Sequence, residues 1–163
     1  TYDTQALFQT ALNTSLATVG GYTNHDIGIM WGSRYLSGSG MFATENPSTF
    51  AQVPVARHII FLTDGEMTAL NTNYSSFGVE TAEDRMTGAG NAVAKHKARF
   101  LNACSRARQM GMTIWVIALD VGSTDDIKPC ASGDDHFYQS DGTNLDQVFT
   151  AIGKGIGRLR LTV

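Results

Sequence analysis

The sequence predicts an α/β domain in which a mostly parallel β-sheet carries helices on both faces. Two apolar runs, residues 59–62 and 113–119, are typical of buried strands, because a half-buried strand alternates apolar with polar residues. Segments with apolar residues at helical spacing lie before, between and after these runs. Strands that alternate with amphipathic helices are typical of a parallel sheet covered on both sides.

Length and composition indicate one globular domain over residues 1–163. Hydrophobic residues make up 42% of the chain and charged residues 17%, which is unlike a disordered sequence. A net charge of -3 provides no basic surface for nucleic acid, and no apolar run is long enough to span a bilayer. Residue 1 falls inside a folded segment, so we expect no signal peptide in this sequence.

Two helices are predicted near the beginning of the chain. The first covers residues 3–19 and stops at two glycines. Its apolar stripe consists of Leu7, Phe8, Ala11, Leu12, Leu16 and Val19. Asn24 is a suitable cap for a second helix over residues 25–36. The predicted core face of that helix is Ile27, Met30, Trp31 and Tyr35.

Residues 37–54 are rich in Gly, Ser, Thr and Pro and are predicted to form a loop, followed by the first buried strand. That strand ends in Thr63, Asp64 and Glu66. In open α/β sheets ligands bind beyond the carboxyl ends of strands, so these oxygens indicate a site; an ordinary Asp-Gly turn is the alternative. Residues 66–93 are a long loop or insertion, either functional or containing a short helix. Its aromatic residues Tyr74 and Phe77, with the acidic run after them, are candidates for partner contact.

The second half of the chain repeats the alternation of helix and strand. A helix over residues 94–110, with Ala98, Leu101, Cys104, Ala107 and Met110 on its apolar face, precedes the strand at 113–119, which ends in Asp120. A loop at 122–135 leads to a short strand at 136–139. Asn144 can cap a last helix, and residues 158–163 alternate like a tail strand. The apolar face of the last helix is Leu145, Val148, Phe149 and Ile152. Both tryptophans, Trp31 and Trp115, are expected in the core.

The residues alone leave the state of the two cysteines open. Cys104 and Cys130 are either buried free thiols or a disulfide, which would be worth roughly 3–4 kcal/mol in the chain-entropy treatment. The histidines are scattered and lack metal-ligand spacing, so we expect each to be an ordinary helix or strand-end residue. They are His25, His58, His96 and His136.

Three segments together resemble the later two thirds of a von Willebrand factor A (VWA) domain. They read Gly-Gly-Tyr-Thr-Asn-His-Asp-Ile-Gly at 20–28, Ile-Phe-Leu-Thr-Asp-Gly-Glu at 60–66 and Thr-Ile-Trp-Val-Ile-Ala at 113–118. The second half resembles the VWA domain of TadG-like proteins of the Tad (Flp) pilus-assembly system. The segments that carry this second resemblance are Cys104 in a helix ending at Gly-Met-Thr-Ile, Lys-Pro-Cys-Ala-Ser at 128–132, His-Phe-Tyr at 136–138, the run 145–149, and Leu-Arg-Leu-Thr at 159–162.

The resemblance implies a three-layer, doubly wound, Rossmann-like sheet with a Mg²⁺-dependent adhesion site built from three loops. The second loop of such a site supplies a threonine and the third an aspartate, and Thr23 and Asp64 match these positions. A hydroxyl and a carboxylate suit Mg²⁺, which prefers oxygen ligands and retains several waters.

The sequence departs from the family in its first loop, because no Asp-x-Ser-x-Ser occurs anywhere in it. Either the first strand, its loop and the first helix lie upstream of this sequence, or the protein lacks them. We expect the first alternative, a domain incomplete at its amino-terminal side with a membrane anchor upstream. Without that strand the sheet has an open edge that is prone to pairing. Two protein ligands alone are expected to bind Mg²⁺ weakly.

The resemblance implies a non-catalytic module outside the cytoplasm, in the periplasm or at the cell surface, that binds protein partners of pilus assembly or adhesion. It also favours a Cys104–Cys130 disulfide. The alternative function is Mg²⁺-dependent phosphoryl transfer, because doubly wound folds with strand-end carboxylates such as Asp64 and Asp120 perform that chemistry. The sequence contains neither a Walker loop nor an Asp-x-Asp pair to support it.

Overall fold

A computed structural model of the protein describes residues 4–16 and 22–158. The first half contains α1 (Gln5–Leu16), α2 (His25–Leu36), β1 (Thr49–Phe50), β2 (Val53–Pro54), β3 (Arg57–Thr63), β4 (Tyr74–Ser75), β5 (Gly78–Val79) and α3 (Glu80–Glu83). The second half contains α4 (Ala92–Gln109), β6 (Met112–Leu119), β7 (Phe137–Ser140) and α5 (Leu145–Arg158), with short 3-10 turns at Lys128–Cys130 and Asp134–His136.

The central sheet has three parallel strands in the order β3–β6–β7. Its register places Ile60 beside Trp115 and Ile117 beside Tyr138. The three predicted strands and their parallel arrangement are confirmed, with β7 beginning one residue later than expected. The fold class is therefore α/β.

Alternate residues of β6 face two hydrophobic clusters, as period-two geometry requires. One cluster lies between the sheet and helices α2 and α4, and includes Ile29, Ile59, Phe100, Cys104, Ile114, Val116 and Ala118. The other lies between the sheet and α5, and consists of Trp115, Ile117, Val148 and Ile152 with partly buried neighbours. Helices therefore pack on both faces of the sheet, and the prediction that Trp115 is a core residue is confirmed.

The predicted core face of α2 is wrong, although the bounds of the helix are correct. The buried residues are His25, Asp26, Ile29 and Ser33. Trp31 and Tyr35 instead have 46% and 61% of their surface exposed, and Ile27 and Met30 are only partly buried. The helix turns a partly polar face inwards because its buried polar side chains find hydrogen-bond partners on β3 and α4.

Two other predicted apolar faces are partly wrong. On α4 the buried residues include His96 and Phe100 beside Cys104 and Ala107, whereas Ala98 and Met110 are exposed. On α5 the side chain of Phe149 is exposed, while Val148 and Ile152 are buried as expected.

Helix α1 covers Gln5–Leu16, and the remainder of the predicted helix, residue 3 and residues 17–19, lies outside the described residues except for Thr4. Leu7, Phe8 and Leu12 on its apolar stripe are exposed. The side chain of Leu16, the residue Val19 and the predicted tail strand at 159–163 lie outside the described residues, and Arg158 belongs to α5.

The segment 66–93 contains the two-residue strands β4 and β5 and the four-residue helix α3. Glu80 of α3 is buried, where it accepts hydrogen bonds from Lys95 Nζ at 2.8 Å and Met86 N at 2.9 Å. Part of the acidic run predicted for partner contact is therefore internal. The ring of Phe77 lies under the guanidinium of Arg99, with 4.2 Å between the ring centroid and the guanidinium carbon. Because Arg99 belongs to α4, Phe77 packs on that helix.

A disulfide joins Cys104 of α4 to Cys130, and both residues are fully buried. Arg108 reinforces the connection, because its Nη1 donates to the carbonyl oxygen of Cys130 at 2.6 Å. The bond fastens the chain segment before β7 to α4. In the described part of the chain, no helix combines the length and apolar character needed to cross a membrane.

Candidate functional site

Two loops meet at the carboxyl end of β3, and they carry Thr23 and Asp64. The backbone N–H of Thr23 donates to Thr68 Oγ1 at 3.0 Å, and the backbone N–H of Thr68 donates to the Thr23 carbonyl at 3.1 Å. Thr23 Oγ1 lies 3.6 Å from the point that a Cβ on Gly65 would occupy. The structure thus places the hydroxyl of Thr23 against the residue that follows Asp64, whose own side chain is exposed.

The hydroxyl of Thr63 makes three hydrogen bonds that determine the path of the chain around Asp64. It donates to the carbonyl of Gly65 at 3.1 Å and accepts the N–H of Gly65 at 3.3 Å. Its third partner is His25 Nε2 at 3.1 Å. The single hydroxyl proton is already given to Gly65, so His25 is the donor and carries its proton on Nε2. Burial lowers the pKa of His25, which favours this neutral form.

A second buried histidine connects the start of α2 to α4. His96 Nδ1 lies 2.9 Å from Asp26 Oδ2, and both residues are almost completely buried. Among the described residues, Oδ1 of the same Asp26 carboxylate has no hydrogen-bond partner. This contact joins the turn that follows Thr23 to the longest helix of the protein.

The loop after β6 approaches the same end of the sheet. Glu66 Oε1 lies 3.3 Å from the position of a Cβ on Gly122, so the side chain of Glu66 spans from the β3 loop to the β6 loop. Asp120 has a left-handed backbone conformation with φ of 52°, and its N–H donates to the carbonyl of Ser140 at 2.8 Å.

Asp120 faces a different cleft from the one beside Thr23. It lines an open, polar cleft of about 370 Å³ at the carboxyl ends of β6 and β7, together with Ser140, Asp141 and Asn144. Neither Thr23 nor Asp64 belongs to the lining of that cleft. The carboxylate of Asp141 accepts bonds from the hydroxyl and the N–H of Thr143, which lower its pKa.

A smaller cleft of about 160 Å³ lies between residues flanking Thr23 and the long 66–93 segment. Tyr22 and Asn24 line one side, and Tyr74 and Ser75 line the other. Tyr74 has 84% of its surface exposed, the largest exposure of any large hydrophobic side chain in the described residues. The long segment is thus adjacent to the candidate site.

Thr23 and Asp64 offer hydroxyl and carboxylate oxygens, a donor set that fits a hard cation such as Mg²⁺. With only two protein ligands, water would complete most of the coordination of Mg²⁺, so we expect the binding to be weak. Within residues 4–16 and 22–158, no group of three or more His, Cys, Asp or Glu side chains is arranged to hold a metal ion.

The residues that hold the two loops in place are not recognisable from the sequence. His25 and His96 lack metal-ligand spacing, and Asp26 and Thr68 belong to no ligand motif. The only signal was local: His25 lies two residues after Thr23, and Thr63 directly precedes Asp64. Nothing in the sequence pairs residues that are 38 or 70 positions apart.

Comparisons with protein-family models, curated proteins and solved structures returned no match to this chain.

Proposed function

We propose that this protein is a non-catalytic binding module of the VWA type that engages a protein partner through a Mg²⁺ ion held by Thr23 and Asp64. The proposal rests on the contacts that hold the Thr23 loop against the Asp64 loop at the carboxyl end of β3. These are the two hydrogen bonds between Thr23 and Thr68 and the position of Thr23 Oγ1 next to Gly65. Ligand sites of open α/β sheets occupy this position. The ion would supply an open coordination position for a carboxylate of the partner.

Other features of the structure are compatible with a VWA domain located outside the cytoplasm. A three-stranded parallel sheet with helices on both faces is compatible with a doubly wound, Rossmann-like VWA domain. A buried disulfide suits a protein of an oxidising compartment, in support of an extracytoplasmic position. We further propose that the partner belongs to pilus assembly or adhesion, and that Tyr74 and the cleft beside Thr23 contribute to its contact surface.

A thermal melt in Mg²⁺ and then in EDTA tests the metal-binding part of the proposal. A ligand that binds only the folded state stabilises it by about 2.7 kcal/mol at a concentration of 100 times Kd, which corresponds to a rise in Tm of several degrees for a domain of this size. We expect Mg²⁺ to raise the Tm of the unmodified chain and to leave the Tm of Asp64→Ala unchanged.

Asp134→Ala is the matched control, because it removes an exposed carboxylate paired with Lys128 and not part of the site. It should retain the full response to Mg²⁺. The absence of a Mg²⁺-dependent shift in the unmodified chain would refute metal binding at Thr23 and Asp64. Phosphatase turnover in Mg²⁺ that disappears in Asp64→Asn would instead establish the enzymatic alternative.

A further inference from the structure

We infer that His25 is a positioning residue for the candidate cation site: through Thr63 it fixes the distance between the loop of Asp64 and the loop of Thr23. This inference rests on the function proposed above. His25 itself is not a ligand, because its Nε2 is directed at Thr63 Oγ1 and not at solvent.

The hydroxyl of Thr63 is saturated with hydrogen bonds. A hydroxyl has one proton and two acceptor positions, and in Thr63 all three are used. Two of its bonds go to the N–H and the carbonyl of Gly65, so the chain is folded tightly around the intervening Asp64. The third bond connects this turn directly to His25 at the start of α2.

The ring of His25 is held in place by its packing. It contacts Phe61 edge-on at a centroid distance of 5.4 Å and Phe100 at 5.6 Å. Only 5% of the residue is exposed. A ring packed on two sides by aromatic residues holds its Nε2 in one place, so Thr63 receives its hydrogen bond from a fixed point.

Hydrogen bonds connect the two loops on both sides of Asp64. His25 bonds Thr63 on one side of Asp64, and Thr23 bonds Thr68 on the other side. The two loops are therefore joined at two points that flank the carboxylate. If either contact is removed, the Asp64 turn is attached to the Thr23 loop at one point only. The distance between the oxygen atoms of Thr23 and Asp64 is then no longer fixed.

The test compares His25→Leu and Thr63→Val with the double variant and with His25→Gln. The leucine and valine variants each delete one end of the hydrogen bond, while the side-chain amide of glutamine can still donate to Thr63. One readout is Mn²⁺ affinity, measured by electron paramagnetic resonance. The other readout is hydrogen exchange of the amides of residues 64–68 without metal. Glu80→Gln is the control, because it weakens a different buried contact, the one to Lys95.

We expect His25→Leu to weaken Mn²⁺ binding about 2- to 12-fold, the value of one hydrogen bond. Thr63→Val should weaken it at least as much, because it also deletes the two bonds to Gly65. The double variant should lose no more than Thr63→Val alone, because that variant already lacks the contact with His25. Both single variants should accelerate exchange of amides 64–68. His25→Gln should restore affinity and protection, and Glu80→Gln should change neither.

Full affinity and unchanged exchange in His25→Leu would overturn the inference, as would an equal loss in Glu80→Gln, which would indicate a general effect of stability. If the unmodified chain binds no Mn²⁺, the proposed function fails by itself. The exchange data then decide the positioning role: faster exchange in His25→Leu retains it, and unchanged exchange removes it.

Discussion

A hydrogen bond between two aromatic side chains links neighbouring strands of the sheet. The indole Nε1–H of Trp115 donates to His58 Nδ1 at 3.2 Å. Only an unprotonated Nδ1 can accept this bond. Partial burial and the nearby charge of His136 lower the pKa of His58 below its ordinary value of 6.5. The folded protein thus favours neutral His58.

The stability of the protein should therefore decrease when the pH falls below about 6.5, the ordinary pKa of histidine. Because the pKa of His58 is lower in the folded state, the unfolded chain binds the proton more readily, and stability present above pH 6.5 is lost as the pH falls through the lowered pKa. His58→Gln keeps an acceptor for Trp115 but does not titrate. Urea denaturation at pH 8 and pH 5.5 should show a smaller decrease for this variant.

The Trp115 indole proton gives an independent check by NMR. Its resonance should shift less with pH in His58→Gln than in the unmodified protein, and the ring of His136, whose centroid lies 4.2 Å from that of the indole, remains in both. The lowered pKa of His25 acts in the same direction, so part of the pH dependence should persist in the variant. An identical decrease in stability for both proteins would show that His58 contributes nothing.

At the level of the elements, two glycines of α5 have opposite surroundings. A Cβ on Gly155 would lie 2.6 Å from Trp115 Cη2, closer than atoms pack. A Cβ on Gly153 would have no atom within 4 Å. The absence of a side chain at Gly155 thus allows α5 to lie close to the ring of Trp115. Gly153 has no such packing role, and its only effect is that glycine has a lower helix propensity than alanine.

Gly155→Ala should destabilise the protein by about 1–3 kcal/mol, because the ring of Trp115 has to move within a packed core. Gly153→Ala, two residues away on the same helix, should stabilise it by about 0.5–1 kcal/mol through reduced chain entropy and better helix propensity. Urea denaturation measures both. If the two variants changed stability in the same direction, the close packing of Gly155 on Trp115 would not be the determining factor.

The pattern of the sequence was sufficient to predict the long helices and the three strands of the central sheet, but not how each helix is rotated. It did not predict the two-residue strands β1 and β2, which lie in the segment 37–54 expected to be a loop, nor β4 and β5. The bounds of α2 are as predicted, while its buried face is set by Asp26 and His25, whose partners come from distant parts of the chain. A count of apolar residues favours Trp31 and Tyr35 for the core, since it cannot recognise polar side chains that are satisfied inside. Helix α5 continues through Gly153, Gly155 and Gly157 to Arg158, although glycine has a low helix propensity.

For the whole molecule, the candidate site depends on an arrangement that only the fold provides. Thr23 and Asp64 were identified from the resemblance to VWA domains, and the parallel sheet explains why the ends of β3 and β6 share one edge. The contacts between the loops involve Thr68, His25 and Thr63, residue types that also occur in ordinary turns. Their role becomes visible only when the distances are known.

The outer edge of β3 is an open edge of the sheet in the part of the chain that the structure describes. In residues 4–16 and 22–158, β6 is the only strand that pairs with β3. Ile60 and Leu62, on the face covered elsewhere by α5, each have 42% of their surface exposed. The exposed Trp31 and Tyr35 border the same edge on the other side, along an apolar groove of about 460 Å³. An apolar strand with unpaired backbone groups is a surface that promotes pairing between chains.

We therefore expect this chain to self-associate reversibly as its concentration rises, and Leu62→Lys to weaken that association at least about tenfold, since burial of one leucine is worth about 1.5–3 kcal/mol. Sedimentation velocity over a series of concentrations measures the change. Met110→Lys is the control, because it adds the same charge at a similarly exposed apolar residue at the end of α4. A chain that stays monomeric at every concentration would contradict the expectation. Equal suppression by Met110→Lys would assign the association to net charge and not to the β3 edge.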